Sequence, residues 1–239
     1  MRLFDFSLLV GTDPRSSAVA TEEALVRYLD AAGAGGIVVS LAGAYYYYEA
    51  GNDETLKVAA RDGRLLPGMT VDPRRVESAD VDWPAAAKKF RALVLFPAMQ
   101  SWHLSHPAVA AIAAGAGAAG LPIVVHVARS GDVGGLSGLA RQVKVPVVAV
   151  GIAYGALSEV IAGAKAAGNL LIGMSLFGGL DNLETLVARL GADRIVYDSG
   201  EARFTHGPAL KMLEAAEIDG PAREAIAIGN ARRIFGGAL

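Results

Sequence analysis

A chain of 239 residues is the size of two small domains or of one large, barrel-sized domain. Its apolar content of 53% and mean hydropathy of +0.37 are far from the disordered range, yet Gly, Pro or a charge interrupts every long apolar run, so no membrane-spanning helix is expected. With 22 basic against 24 acidic residues and no cysteine, nothing favours nucleic acid or an anionic membrane, and disulfides and thiolate metal sites are excluded.

Arg2 to Val10 reads as an apolar strand with no signal-peptide core, which makes the cytoplasm the expected location. Gly11-Thr12-Asp13-Pro14 closes it. Thr21 then caps a helix with Glu22 and Glu23 in its first turn and an apolar stripe of Ala24, Leu25, Tyr28 and Leu29, stopping at Gly33 to Gly36. Gly36 to Leu41 is a second strand, followed by a tyrosine run, Tyr45 to Tyr48, expected in a loop, and a helix from about Asp53 to Asp62. Leu65 to Val71 and Ala92 to Phe96 are strands three and four, with a short helix, Trp83 to Phe90, between them. An Ala-rich helix, Pro107 to Ala119, ends at Gly120.

Pro122 to Val127 is strand five, and a short helix near Gly138 to Val143 leads to strand six, Val145 to Val150. Helix Leu157 to Ala167, strand Leu170 to Ser175 and helix Leu180 to Leu190 follow. Arg194 to Tyr197 is strand eight and delivers Asp198-Ser199-Gly200. Helices Pro208 to Ala216 and Pro221 to Phe235 finish the chain. Eight short apolar strands, each followed by a helical pattern, argue for a parallel sheet. The length matches a minimal barrel, so the expected fold class is α/β, a single (β/α)8 TIM barrel over residues 1–239. A doubly wound open sheet is the competitor. It commonly carries a Gly-rich phosphate turn after strand one, which Gly11-Thr12-Asp13-Pro14 is not.

Of four histidines, only His126 lies inside an apolar strand. A buried imidazole is costly unless bonded or ligated, so it is either a satisfied core residue or part of a site. In a barrel the C-terminal strand ends converge. Those ends supply Asp5, Ser7 and Leu9, expected on one face by the period of two, then Ser40, Met69 to Asp72, Phe96 to Gln100, His126, Val150-Gly151, Ser175 and Asp198. His126 thereby gains potential company in Ser7, Gln100 and Asp198.

Three runs resemble a known family. Leu95-Phe96-Pro97-Ala98-Met99-Gln100, Ser105-His106-Pro107 and Gly120-Leu121-Pro122-Ile123-Val124-Val125-His126 form the first, Gly191 to Gly200 the second, and Gly229-Asn230-Ala231-Arg232-Arg233-Ile234-Phe235-Gly236 the third. They are similar to motifs of the amidohydrolase-related metal-dependent hydrolases, a group that also contains decarboxylases. The resemblance implies a TIM barrel and a divalent metal such as zinc. It implies an opening Asp-x-His-x-His, where this chain has Asp5-Phe6-Ser7-Leu8-Leu9. Val148 to Ile152 holds no imidazole after strand six, and Gly200 stands where the family has a metal and base aspartate. Of the family's usual ligands His126 alone is kept in register. A catalytic zinc normally needs three protein ligands, so no metal cofactor is expected; if one binds, His126 and Asp198 would hold it.

The function expected on this scaffold is a metal-independent hydrolase or lyase for a small organic molecule, with His126 as acid or base. Asp198 would orient His126 or bind a cationic group, and Ser7 would be the nucleophile if it reaches His126. Gln100, Arg129, Ser175 and Glu201 are expected substrate contacts. Tyr45 and Tyr46 would form a wall or lid, or a helix or dimer contact, and Trp102 a pocket side or subunit interface. His103 and His106 fit a helix start better than a metal pair, and His206 opens the last helical region. One alternative is a non-catalytic barrel that binds a ligand or partner in a drier pocket. Another is a metal-dependent hydrolase with a displaced site. The expected partner is a small molecule, with no nucleic acid or membrane, and the expected assembly is a homodimer, the commonest symmetric form.

Overall fold

A computed structural model describes residues 1–129, 131–152, 155–175, 179, 181–199, 206–236 and 239, with only the backbone of residue 206. The chain opens with β1 (Leu3–Thr12), β2 (Val19–Ala20), α1 (Glu22–Ala32), β3 (Ala34–Ser40), α2 (Leu41–Tyr45), α3 (Tyr48–Ala59) and β4 (Leu65–Met69). Next come α4 (Trp83–Lys89), β5 (Ala92–Leu95), α5 (Pro107–Ala118), β6 (Ile123–His126), α6 (Asp132–Ala140) and β7 (Val147–Val150). Then α7 (Leu157–Ala166), β8 (Leu170–Gly173), α8 (Asn182–Leu190), β9 (Ile195–Val196), α9 (His206–Ala215), α10 (Gly220–Glu224) and α11 (Asn230–Phe235) complete it.

The strands form one sheet in the order β2-β1-β3-β4-β5-β6-β7-β8-β9, and every pairing except β1 with β2 is parallel. The Phe6 N–H donates to the Tyr197 carbonyl at 3.2 Å, joining the strand beside β2 to the end of β9. The result is the (β/α)8 barrel that the alternation of apolar runs implies.

Alternating side chains divide the apolar core in two. Phe4, Phe6, Leu9, Ile37, Val39, Val94, Phe96, Val124, Val148, Val150, Leu171 and Val196 pack together inside the barrel. Leu3, Leu8, Val38, Leu93, Val125, Ala149 and Ile172 face the helices. The N-terminal end of the barrel is closed by α11. The Phe235 ring lies 5.4 Å from Phe4 and 5.8 Å from Phe6, and those two meet edge to face at 5.2 Å. The lumen is thereby closed at the end opposite the C-terminal strand ends.

Two expectations need correction. The tyrosine run is a loop only at Tyr46 and Tyr47: α2 ends at Tyr45 and α3 begins at Tyr48. Ser40 starts α2 by accepting the Ala42 N–H on its Oγ at 3.2 Å, and the two helices touch so closely that a Cβ on Gly51 would lie 2.3 Å from Gly43 Cα. Likewise α6 begins at Asp132, not near Gly138. Its first turn is capped from another helix: Glu159 in α7 accepts the N–H groups of Gly131 at 3.0 Å and Gly134 at 3.1 Å. A partner distant in sequence leaves no local signal.

A third correction concerns β1. Asp5 pairs with Gly36 while Leu8 pairs with Val38, so β1 carries one extra residue between them. The bulge breaks the period of two: Leu9 packs inside the barrel, whereas Asp5 reaches outward to Tyr28 of α1. Asp5, Ser7 and Leu9 therefore do not share one face.

Candidate active site at the barrel mouth

His126 is the last residue of β6 and pairs in register with Val150, the last of β7. The period of two turns it inward with Val124. Its ring stacks on Phe96, which follows β5, with centroids 4.4 Å apart and planes 27° from parallel. His126 is 9% exposed. Leu9, Val39, Leu41, Tyr45, Met99 and Val150 continue the apolar wall.

Asp198 lies two residues beyond β9 and is fully buried. Ser175 donates to it twice, from N–H to Oδ1 at 2.8 Å and from Oγ to Oδ2 at 2.6 Å, and the Gly151 N–H donates to Oδ2 at 3.1 Å. Room for the carboxylate comes from Gly173 on β8, where a Cβ would lie 2.6 Å from Asp198 Oδ1. Burial pushes the Asp198 carboxyl up to about 6. The bonds from Ser175 and Gly151 oppose that rise, and the charge of Asp5 adds to it.

Ser7 sits at the bulge of β1. Its N–H and Oγ contact Asp5 Oδ1 at 3.0 and 3.4 Å. Asp5 also accepts the Tyr28 hydroxyl at 2.7 Å, the Ser199 N–H at 3.0 Å and the Ser199 hydroxyl. Burial raises the Asp5 carboxyl above its ordinary range, against the lowering effect of these donors. The structure thus joins Ser175 with Asp198 and Ser7 with Asp5. The bulge that separates the two clusters has no signature in the residue pattern of β1.

Gln100 and Trp102 are buried and satisfy one another. The indole N–H donates to Gln100 Oε1 at 2.7 Å, and Gln100 Nε2 reaches the Gly43 carbonyl at 3.4 Å. Arg129 is exposed, and its backbone N–H donates to Asp132 Oδ2 at 3.0 Å. Tyr45 is buried and donates to Asp13 Oδ2 at 3.2 Å, while Tyr46 is half-exposed. Glu201 and Gly200 lie outside the described residues.

Arg15 was not singled out by the sequence. Its guanidinium lies 4.8 Å above the Tyr45 ring, donates to the Met99 carbonyl at 2.9 Å and reaches the Tyr46 hydroxyl at 3.5 Å. The loop after β1 is so tied to the loop after β5. His106 caps α5, its Nδ1 accepting the Ala108 N–H at 3.3 Å, and His103 contacts Ser105 at 3.0 Å. A surface cleft of about 970 Å³ between residues 73–80 and the start of α5 includes none of the lumen residues, and its arginines are paired, Arg74 with Asp72 and Arg75 with Glu49.

The fold family implies a divalent metal. Among the described residues no three His, Cys, Asp or Glu side chains converge to hold one. At the mouth they offer one imidazole and one carboxylate whose oxygens already accept three hydrogen bonds, and Leu9 has no donor atom. This set does not fit a transition-metal cage.

The amidohydrolase family model matches residues 12–237. The chain belongs to the amidohydrolase family. No curated protein matches this amidohydrolase-family chain significantly by sequence. Solved structures match its fold over almost their whole length. The 2,6-dihydroxybenzoate decarboxylase from Rhizobium is 12% identical with a TM-score of 0.72, over 98% of each chain. A dihydroxybenzoic acid decarboxylase from Polaromonas, solved with manganese and the inhibitor 2-nitroresorcinol, is 13% identical with a TM-score of 0.75, over 98% of this chain and 96% of that one. An uncharacterised TIM-barrel protein from Bordetella bronchiseptica is 15% identical with a TM-score of 0.75, over 100% and 99%. Among the described residues no helix is long and apolar enough to cross a membrane.

Proposed function

We propose that this amidohydrolase-family chain is a hydrolase or lyase for a small aromatic molecule, bound at the C-terminal mouth of the barrel and processed without a divalent metal. The observation that carries the reading is that one imidazole, stacked on Phe96, and one buried carboxyl, held by Ser175 and Gly151, both stand at C-terminal strand ends of an otherwise apolar lumen. Phe96 holds the His126 ring flat, and the surrounding Leu9, Met99, Tyr45 and Val150 suit a planar apolar body. That neighbours of this fold are named as decarboxylases of hydroxylated benzoates supports an aromatic substrate.

In this reading His126 takes or gives the proton at the reacting atom. Asp198, titrating near 6, is the second proton-exchanging group. Ser175 keeps its carboxyl in place, and Ser7 contacts Asp5. Gln100 and Trp102 shape the pocket through their mutual bond, and Tyr45 through its bond to Asp13.

The test combines elemental analysis of the purified protein with turnover of a panel of hydroxybenzoic acids and aryl esters or lactones. Turnover is expected to survive chelation and to fall about 10²- to 10⁴-fold in kcat for His126→Gln, with an unchanged circular dichroism spectrum. Stoichiometric zinc or manganese, or turnover equal to wild type in H126Q, overturns the reading. The apolar wall around Leu9 also favours a second reading, a ligand-binding barrel without turnover. Tight binding of a panel member with no product, in wild type and H126Q alike, selects it.

A further inference from the structure

We infer that Asp5 is a positioning residue: from behind the barrel wall its carboxylate clamps Ser199 and thereby aims the Asp198 side chain into the mouth. The inference rests on the reading of Asp198 as a group of the site.

The segment that bears Asp198 has little sheet to hold it. β9 is two residues long, and its ladder with β8, Ile172 with Ile195 and Gly173 with Val196, ends before Asp198. On its other side the Phe6 N–H to Tyr197 carbonyl bond is the backbone link to β1. Beyond it the Asp5 carboxylate takes the place of a ladder. Oδ1 accepts the Ser199 N–H at 3.0 Å and Oδ2 accepts the Ser199 hydroxyl. The clamp is itself fixed, by the Tyr28 hydroxyl of α1 at 2.7 Å and the Ser7 N–H at 3.0 Å.

Both chain neighbours of Asp198 are therefore fastened to β1. Alternation along an extended chain sends the side chain between them the opposite way. There it meets Gly151 and Ser175, at the ends of β7 and β8. A fully buried carboxylate is an expensive way to close a seam, and a neutral side chain would close it at lower desolvation cost. Asp5 brings two oxygens with enough lone pairs to take the backbone and the hydroxyl of Ser199 together, which fixes the direction as well as the contact.

The readout is hydrogen exchange at the Gly151 and Ser175 amides, which bond to Asp198 and do not touch Asp5. The variants are Asp5→Asn and Ser199→Ala, with Tyr28→Phe as a comparator that loosens Asp5 from α1 and leaves Ser199 intact. Both test variants are expected to speed those two amides about tenfold or more relative to the Ile123 and Val127 amides of the β6–β7 ladder. Y28F, which loosens the anchor of the clamp and keeps its bonds to Ser199, is expected to raise that ratio less than either test variant does. The inference is overturned if Gly151 and Ser175 in the test variants speed up only in step with Ile123 and Val127, or not at all. Should D5N fail to fold, S199A alone decides, since it removes one hydroxyl. Exchange needs no substrate, so a protein inactive on every panel compound would sink the proposed function and leave this result standing.

Discussion

Asp198 gives the site a pH signature with a definite sign. Its carboxyl is raised from the ordinary 3.8 to about 6, so between those values the folded state holds a proton that the unfolded state has lost. Its contribution to stability is whole below about pH 4 and is lost as the pH rises to about 6, a change of about 3 kcal/mol. Asp5, also raised by burial, acts in the same direction. Urea unfolding of wild type and Asp198→Asn at pH 4 and pH 7.5 measures the Asp198 part. Wild type should gain about 3 kcal/mol on the variant at the lower pH. A difference independent of pH refutes the assignment. His126 was legible in sequence because a single polar residue in a run such as Ile123-Val124-Val125 demands an explanation. Asp198 and Ser175 were legible as strand ends. Their direct bond was not, because it spans 23 residues, and neither was the placement of Ser7 on Asp5, because one inserted residue in β1 reverses side-chain parity.

The elements follow mostly local chemistry. Thr21 caps α1 with its Oγ1 3.1 Å from the Ala24 N–H, and Gly33 ends it in the left-handed region, at the positions their residue types mark. The alternation of strands and helices is equally local, which is why the barrel could be read from the sequence. What sequence hid are the boundaries set by distant partners: Glu159 capping α6, and the contact of α2 with α3. That contact makes a sharp prediction. Gly51→Ala would place a methyl group 2.3 Å from the Gly43 backbone, with no flexible side chain to yield. The helices must separate, at an expected cost of about 3 kcal/mol, and Tyr45 at the end of α2 must shift with them. Chemical denaturation of G51A checks the cost. A loss below about 0.5 kcal/mol, the size of an ordinary surface change, would refute the close packing.

At the scale of the whole molecule, the wall of the barrel is uneven. Among the described residues, strands β5 to β8 are joined by continuous parallel ladders, whereas the seam between β1 and β9 shows the Phe6–Tyr197 bond and the Asp5–Ser199 clamp. Fewer backbone bonds mean that the seam opens at a lower free energy than the opposite wall. Native-state hydrogen exchange at low denaturant should show the Phe6 amide opening before the Ile123 and Val147 amides, which donate to Pro146 and Asn169 at 2.9 Å. Equal opening energies would mean that the barrel yields as one unit.

The stopper formed by Phe4, Phe6 and Phe235 also governs traffic. With three rings packed across one end of the lumen, a molecule cannot pass through the barrel in one direction. A substrate bound as proposed at His126 would leave by the way it came, so arrivals and departures would share one passage and a crowded mouth would hold up both.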